Sequence, residues 1–139
     1  MPATHVIFYA ERNVSPFLRW LDDQQQKVQD KIFDAVTRLE ALGFELRRPE
    51  ADLLRDGIYE LRVKKGHVNY RPLYFFDDET DPKTRKLIRR RAVIAHGCTK
   101  KGRVDATDID LAIRRRTNYL ANRRDHTYVP PPAADAEQP

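Results

Sequence analysis

The segment of residues 86–98 (KLIRRRAVIAHGC) constrains the fold more than any other part of the sequence. Residues 92–95 are apolar at four consecutive positions, so a strand there presents apolar side chains to both faces of a sheet. A strand of this kind is covered on both sides and lies in the middle of its sheet. Gly97 ends the apolar run. We therefore expect the fold to be organised around this strand.

The first half of the chain predicts one strand and two helices. Residues 5–12 are short, β-branched and aromatic, which is typical of a strand. Ser15 followed by Pro16 is a helix start. Apolar residues then recur at three- and four-residue spacing until Gly43, which is placed to end a second helix. Residues 44–57 read as irregular.

The second half predicts two further strands and a last helix. Residues 58–63 and 68–76 read as strands joined by a tight turn, and Pro72 implies a bulge or an N–H position that faces away from the neighbouring strand. A helix follows near Thr107. The predicted class is α+β, in the order β-α-α-β-β-β-α. We expect a small antiparallel sheet with a helical hairpin packed on one face.

Length and composition favour one basic domain. The 139 residues suffice for a single core, which we place at residues 1–125, and the Pro/Ala-rich residues 126–139 read as a disordered tail. A net charge of +5 favours a polyanionic partner. Cys98 alone allows no intramolecular disulfide, and no stretch approaches the roughly 20 apolar residues of a membrane span. We expect a cytoplasmic protein without a membrane partner.

Three segments carry the candidate chemistry. GIYELRV (57–63) alternates acid and base along a strand, NYRPLY (69–74) sets Arg71 between aromatics, and AHGCTKK (95–101) leads an apolar strand into basic residues. In the predicted meander, Arg62, Arg71 and the two lysines at 100 and 101 line one concave surface. Cations that bind phosphates and aromatic rings that stack on unpaired bases suit single-stranded RNA.

RNA supplies its own nucleophile, the 2′-hydroxyl, so the protein needs only to align it, assist its deprotonation and stabilise the charged phosphorane. We expect no metal and no cofactor, because no dense Asp/His cluster has metal-ligand spacing. The catalytic candidates are Arg62, Arg71, His96, Lys100 and Lys101. The RNA-binding candidates are Lys64, Lys65, His67, Tyr70, Tyr74 and Arg103. Structural alternatives stay open: Arg62 paired with Glu60 or Glu11, Arg71 as a stacked structural guanidinium, and His96 as a satisfied structural histidine.

In their order and spacing these motifs resemble the HigB-like toxins of the RelE/ParE superfamily, over roughly residues 5–122. The resemblance implies a RelE-like fold and the toxin of a type II toxin–antitoxin system. It further implies an mRNA endonuclease that acts on the ribosome and is neutralised by a helix-turn-helix antitoxin encoded beside it. In this resemblance Arg62 and Arg71 match the arginines of the two strand motifs, and His96, Lys100 and Lys101 match the His-Gly-x-x-Lys-Lys segment.

Two other functions remain open on the sequence. The superfamily also contains ParE-like toxins, which inhibit DNA gyrase without cutting RNA, and a fold alone does not decide between these activities. Pro72 and Cys98 depart from the residue types usual in the family. A degenerate domain that only binds nucleic acid or a partner is the third hypothesis.

Overall fold

The structure, a computed structural model, describes residues 4–132. Its strands are β1 (His5–Phe8), β2 (Ala51–Arg55), β3 (Ile58–Leu61), β4 (Val63–Lys65), β5 (Val68–Phe76), β6 (Glu79–Thr80), β7 (Leu87–Arg89) and β8 (Arg91–Lys100). Its helices are α1 (Pro16–Asp22), α2 (Gln26–Leu42) and α3 (Ala106–Ala121), with short 3₁₀ turns at Gly43–Glu45 and Arg124–His126. Across residues 4–132, none of these helices combines the length and the apolar character needed to cross a membrane.

The first helix begins, and the second helix ends, at the residues that the sequence marks. The Ser15 side chain accepts a hydrogen bond from the Leu18 amide at 3.1 Å, and Pro16 opens α1. Gly43, with a φ of 53°, follows the last residue of α2. Only a residue that tolerates positive φ fits this position easily.

The main sheet is mixed, with the strand order β1-β8-β5-β3-β2 and with β4 added beside β5. The three predicted strands of the second half are antiparallel neighbours, as expected. The prediction of a wholly antiparallel sheet is wrong at β1, which pairs with β8 in parallel. A parallel neighbour requires a long crossover, and the whole chain between β1 and β8 provides one.

The structure contains strands that the sequence did not predict. Residues 44–57 were expected to be irregular, yet they contain β2, which forms a hairpin with β3. Asp56 and Gly57 link the two strands with φ values of 52° and 78°. Asp-Gly with positive φ at both positions is a strong hairpin signal. The expected single strand of residues 86–98 is also interrupted, because β7 pairs with β6 in a separate two-stranded sheet.

Helices cover both faces of the main sheet. Core residues of α1 and α2 pack with Ala92 and Ile94 on one face. Core residues of α3 pack with Val93 and Ala95 on the other face. The prediction that residues 92–95 form a central strand buried on both sides is therefore confirmed, and the helical hairpin lies on one face as expected.

A bulge in the β5–β8 pairing decides which side chains face α3. Leu73 pairs with His96 while Tyr74 pairs with Ile94, so Ala95 is the extra residue. After the bulge, His96 faces α3, whereas Gly97 faces α1 so closely that an added Cβ would lie 2.2 Å from the Trp20 ring. The bulge expected in β5 at Pro72 is thus found on β8, opposite the step from Leu73 to Tyr74, while Pro72 pairs in register with Gly97.

The start of the predicted tail is part of the fold. Thr127 forms a bridge with Tyr9, the Tyr128 amide donates to the Phe8 carbonyl at 2.9 Å, and the His126 ring stacks on Tyr9. The boundary predicted at residue 125 therefore falls before a segment that is held along β1 by hydrogen bonds and ring stacking. Residues 133–139 of the predicted tail lie outside the described residues.

Candidate functional site

A cleft opens on the α3 side of the sheet, between the edge strand β2 and the loop after β8. It encloses about 280 Å³, near the lower end of the range for ligand clefts, which is about 300–1,000 Å³. The residues that line it come from β2, β3, β5 and neighbouring loops: Arg48, Asp52, Leu54, Glu60, Arg62, Asn69, Arg71, Gly102, Arg103 and Val104. Four arginines face two carboxylates, which leaves a net charge of +2. The cleft therefore attracts anions.

Arg62 and Arg71 meet on one buried carboxylate. Leu61 and Val63 belong to the core under α1 and α2, so strand alternation turns Glu60 and Arg62 toward the cleft. Arg62 donates to Glu60 Oε2 at 2.7 Å, and Arg71 Nε lies 3.2 Å from Glu60 Oε1. Glu60 holds the two guanidinium groups side by side.

Arg71 is almost completely fixed. Its Nη1 donates to the carbonyl oxygens of Val63 and Tyr70 at 3.1 and 3.3 Å. Burial lowers the pKa of Arg71, and the charge of Glu60 opposes this effect. Within residues 4–132, no group accepts a hydrogen bond from Nη2. Arg71 thus keeps one pair of N–H donors for a ligand in the cleft.

The two lysines occupy the rim rather than the cleft. Lys100 pairs in register with Asn69, a lining residue, but its Nζ lies 2.8 Å from a carboxylate oxygen of Asp105 and of Asp108. These two carboxylates raise the pKa of Lys100 and balance its charge. Lys101 is exposed next to Gly102. The predicted concave basic surface therefore contains Arg62, Arg71 and Arg103, with the lysines at its border.

His96, predicted as a catalytic candidate, is enclosed by α3. Its Nε2 lies 2.8 Å from Asp108 Oδ1, and its Nδ1 lies 3.1 Å from Arg115 Nη1. A guanidinium only donates, so Nδ1 accepts, and the proton assigned to Nε2 is donated to Asp108. Both ring nitrogens thus have partners, which matches the structural alternative for His96.

Three potential metal ligands come together in space, although the sequence spacing gave no sign of them. Ligand atoms of His96, Cys98 and Asp108 all lie within 4.8 Å of one another. Two cations already occupy this cluster, because Arg115 donates to His96 and Lys100 contacts Asp108. Burial also raises the pKa of Cys98 to about 12, so its thiol is neutral at physiological pH. The arrangement fits an ion-pair network better than a metal site.

The predicted aromatic contacts with bases do not occur in the cleft. On β5, Tyr70 lies on the opposite face from Arg71 and packs near Trp20, with ring centroids 6.4 Å apart. Tyr74 is 1% exposed and stacks on Tyr59 inside the core. The prediction that Tyr74 binds RNA is wrong, because its ring is not accessible. Alternation along the strand separates these rings from the arginine that they flank in sequence.

The three RNA-binding candidates of the β4–β5 hairpin lie apart from the cleft lining. Lys64 is exposed on the α2 side, where its carbonyl accepts from Lys31 at 3.4 Å. Lys65 is partly exposed and His67 is exposed in the turn. Of the RNA-binding candidates, Arg103 alone lines the cleft.

Sequence reasoning missed the groups on α3 that enclose His96. Arg115 is one of three consecutive arginines on α3, and it also donates to the Ala95 carbonyl at 2.7 Å. Asp108 and Arg115 are seven residues apart and share a helix face with the buried Ala112. The seven-residue spacing on the inward face of α3 is the sequence signal that could have identified Asp108 and Arg115 as neighbours of the sheet.

The chain matches a family model described as phage-derived protein Gp49-like (DUF891) over residues 19–117. The matched segment runs from α1 into α3 and contains every residue that lines the cleft. The chain belongs to this family of RelE/toxin-like proteins. A comparison with curated proteins finds no match.

The enclosure of His96 predicts a pH dependence of stability. Burial and the neighbouring Arg115 and Lys100 charges lower its pKa against the opposing effect of Asp108. The unfolded state then binds the proton more readily, so this stabilisation is complete above about pH 6.5 and is lost as the pH falls toward the folded pKa. We expect His96→Gln to reduce the loss of urea stability between about pH 7.5 and 5.5. His67→Gln, in the exposed turn, is the control; an unchanged pH profile of His96→Gln would contradict the assignment.

Proposed function

We propose that this protein is the toxin of a type II toxin–antitoxin system, of the HigB-like branch, and that it cleaves mRNA on the ribosome in the cytoplasm. Membership of the Gp49-like family supports the toxin role. The observation that carries the nuclease role is the basic cleft in which Arg62, Arg71 and Arg103 converge. A ribose-phosphate chain fits such a cleft by charge, and the reaction needs no metal.

The proposed mechanism depends on how firmly the side chains of Arg71 and Arg62 are held in the cleft. Arg71 is buried and fixed, so its Nη2 is preorganised to donate to the phosphate oxygens when negative charge develops on them. Arg62 is 31% exposed and reaches Glu60 through one nitrogen, so it is free to turn toward the phosphate. The 2′-oxygen bonds to the phosphorus as the bond to the 5′-oxygen breaks, water takes the proton of the 2′-hydroxyl, and water returns a proton to the leaving 5′-oxygen. Fixed donors of this kind stabilise the phosphorane between these two events without reorganisation cost.

The proposed antitoxin neutralises the same surface. A helix-turn-helix protein with an acidic or apolar segment would cover the cleft and block phosphate access by charge and bulk. A small reading frame for such a protein beside the gene is the expected genetic context.

Expression in a bacterial host, with mapping of RNA 5′ ends, tests this proposal. We expect the unchanged chain to stop growth and to generate new mRNA ends, and Arg62→Ala to reduce cleavage by about 10²-fold. Arg38→Ala is the matched control, because Arg38 is also a partly exposed arginine paired with a glutamate, but it lies on α2. Growth arrest with intact transcripts would exclude the nuclease and favour a ParE-like gyrase inhibitor. A chain that is harmless alone would leave only a binding role.

A further inference from the structure

One wall of the cleft is apolar. Leu54 on β2 and Val104 in the loop after β8 both face it, and both pack against the core beneath α3. In the described part of the chain, none of the side chains that line the cleft is aromatic. These two aliphatic side chains offer a surface on which a flat ligand can rest, between the arginines that line the cleft. This is an unusual surface for a site that binds only phosphate, since phosphate gains nothing from apolar contact.

Two polar groups beside this wall each have an oxygen atom without a side-chain donor among residues 4–132. Arg48 donates from both Nε and Nη2 to the same oxygen of Asp52, Oδ2, at 2.9 and 2.7 Å. Within residues 4–132, Asp52 Oδ1 has no side-chain donor. Asn69 donates through Nδ2 to the Gly102 carbonyl at 3.3 Å, which leaves its Oδ1 as an acceptor. The cleft thus offers hydrogen-bond acceptors next to an apolar wall, and its arginines offer donors that can bind a phosphate.

We infer that the cleft is a subsite for a single nucleotide whose base carries an exocyclic amino group. The phosphate binds Arg62 and Arg71, the base rests on Leu54 and Val104, and the amino group donates to Asp52 Oδ1. Adenine, cytosine and guanine have such a group, whereas the one ring donor on this edge of uracil, N3–H, lies between two carbonyl oxygens that a carboxylate repels. The inference rests on the proposed function for its choice of RNA as the ligand. The volume of about 280 Å³ limits the subsite to one nucleotide.

Binding of mononucleotides to the full chain, measured by calorimetry with AMP, CMP and UMP as probes, tests the subsite without any need for catalysis. We expect UMP to bind about tenfold more weakly than AMP or CMP, the effect of losing one hydrogen bond to a charged group. Asp52→Asn should remove most of this difference. Leu54→Ala should weaken all three nucleotides, while Leu53→Ala, which changes the neighbouring leucine on the opposite face of β2, should leave them unchanged.

The outcomes separate this inference from the proposed function. Equal binding of UMP and AMP, or no binding of any nucleotide, overturns the subsite even if the protein cleaves RNA. Discrimination that Asp52→Asn abolishes supports the subsite even if transcripts stay intact, in which case the nuclease role fails alone.

Discussion

Arg71→Lys should lower the rate of RNA cleavage by a factor of about 10² to 10³ while the protein remains folded. Lysine keeps the positive charge next to Glu60, but it cannot reproduce the fork that bonds Glu60, the Val63 carbonyl and a ligand at once. The phosphate then loses a fixed donor at the moment when charge develops on it. Cleavage rates of a defined RNA with purified protein give the measurement.

A loss of stability is the competing explanation for any defect of Arg71→Lys, since the residue is buried. Thermal unfolding of the same purified samples separates the two, because a folded but inactive variant points to a direct role. Arg89→Lys, at an exposed position on β7, is the control and should cleave normally. Arg71→Lys with full activity would remove this arginine from the proposed mechanism.

Asp77→Ala should cost about 3 to 5 kcal/mol of unfolding free energy, the usual effect of removing one member of a buried charged network. Asp77 is 6% exposed and accepts from Tyr119 Oη at 2.9 Å and from two nitrogens of Arg123 at 2.9 Å each. Arg91 Nε lies 3.3 Å from the same carboxylate. The substitution leaves these donors without their acceptor and frees the end of α3 from the sheet. Urea unfolding measures the change.

Asp78 provides the matched control. It is the next residue in the chain, and its side chain and that of its ion-pair partner Arg90 are each about one-third exposed, so Asp78→Ala should cost less than about 1 kcal/mol.

Burial alone would raise the pKa of Asp77, but the hydrogen bonds from Arg123 and Tyr119 outweigh it and lower the pKa. Its stabilisation is therefore complete above about pH 3.9 and is lost as the pH falls through the folded pKa, so Asp77→Ala should also flatten acid unfolding. Equal losses for the two variants would contradict this role of Asp77.

The sequence predicted the centre of the fold because the information there is local. Four consecutive apolar residues are enough to place β8 between two helical layers. Ser15, Pro16 and Gly43 mark helix ends through their own backbone preferences. The parallel β1 pairing could not be predicted in this way, since it depends on contacts between segments more than 80 residues apart.

For the site, the motifs predicted Arg62 and Arg71 together, because Arg62 lies between β3 and β4, Arg71 lies on the neighbouring β5, and both side chains line the cleft. The roles of Tyr74 and His96 were not predictable, since they depend on the bulge at Ala95 and on side chains that arrive from α3. Asp56-Gly57 was a local signal for the β2 hairpin, and β2 supplies Asp52 and Leu54 to the cleft.

The residues that run along β1 also limit how copies of this chain can associate. Because His126 and Tyr128 donate to carbonyl oxygens on either side of Tyr9, that border of the sheet is partly occupied by the chain itself. Within the described range, residues 4–132, β2 has β3 as its one neighbour in the main sheet. A strand from another chain would therefore find a longer open row of backbone groups at β2 than at the border beside Tyr9.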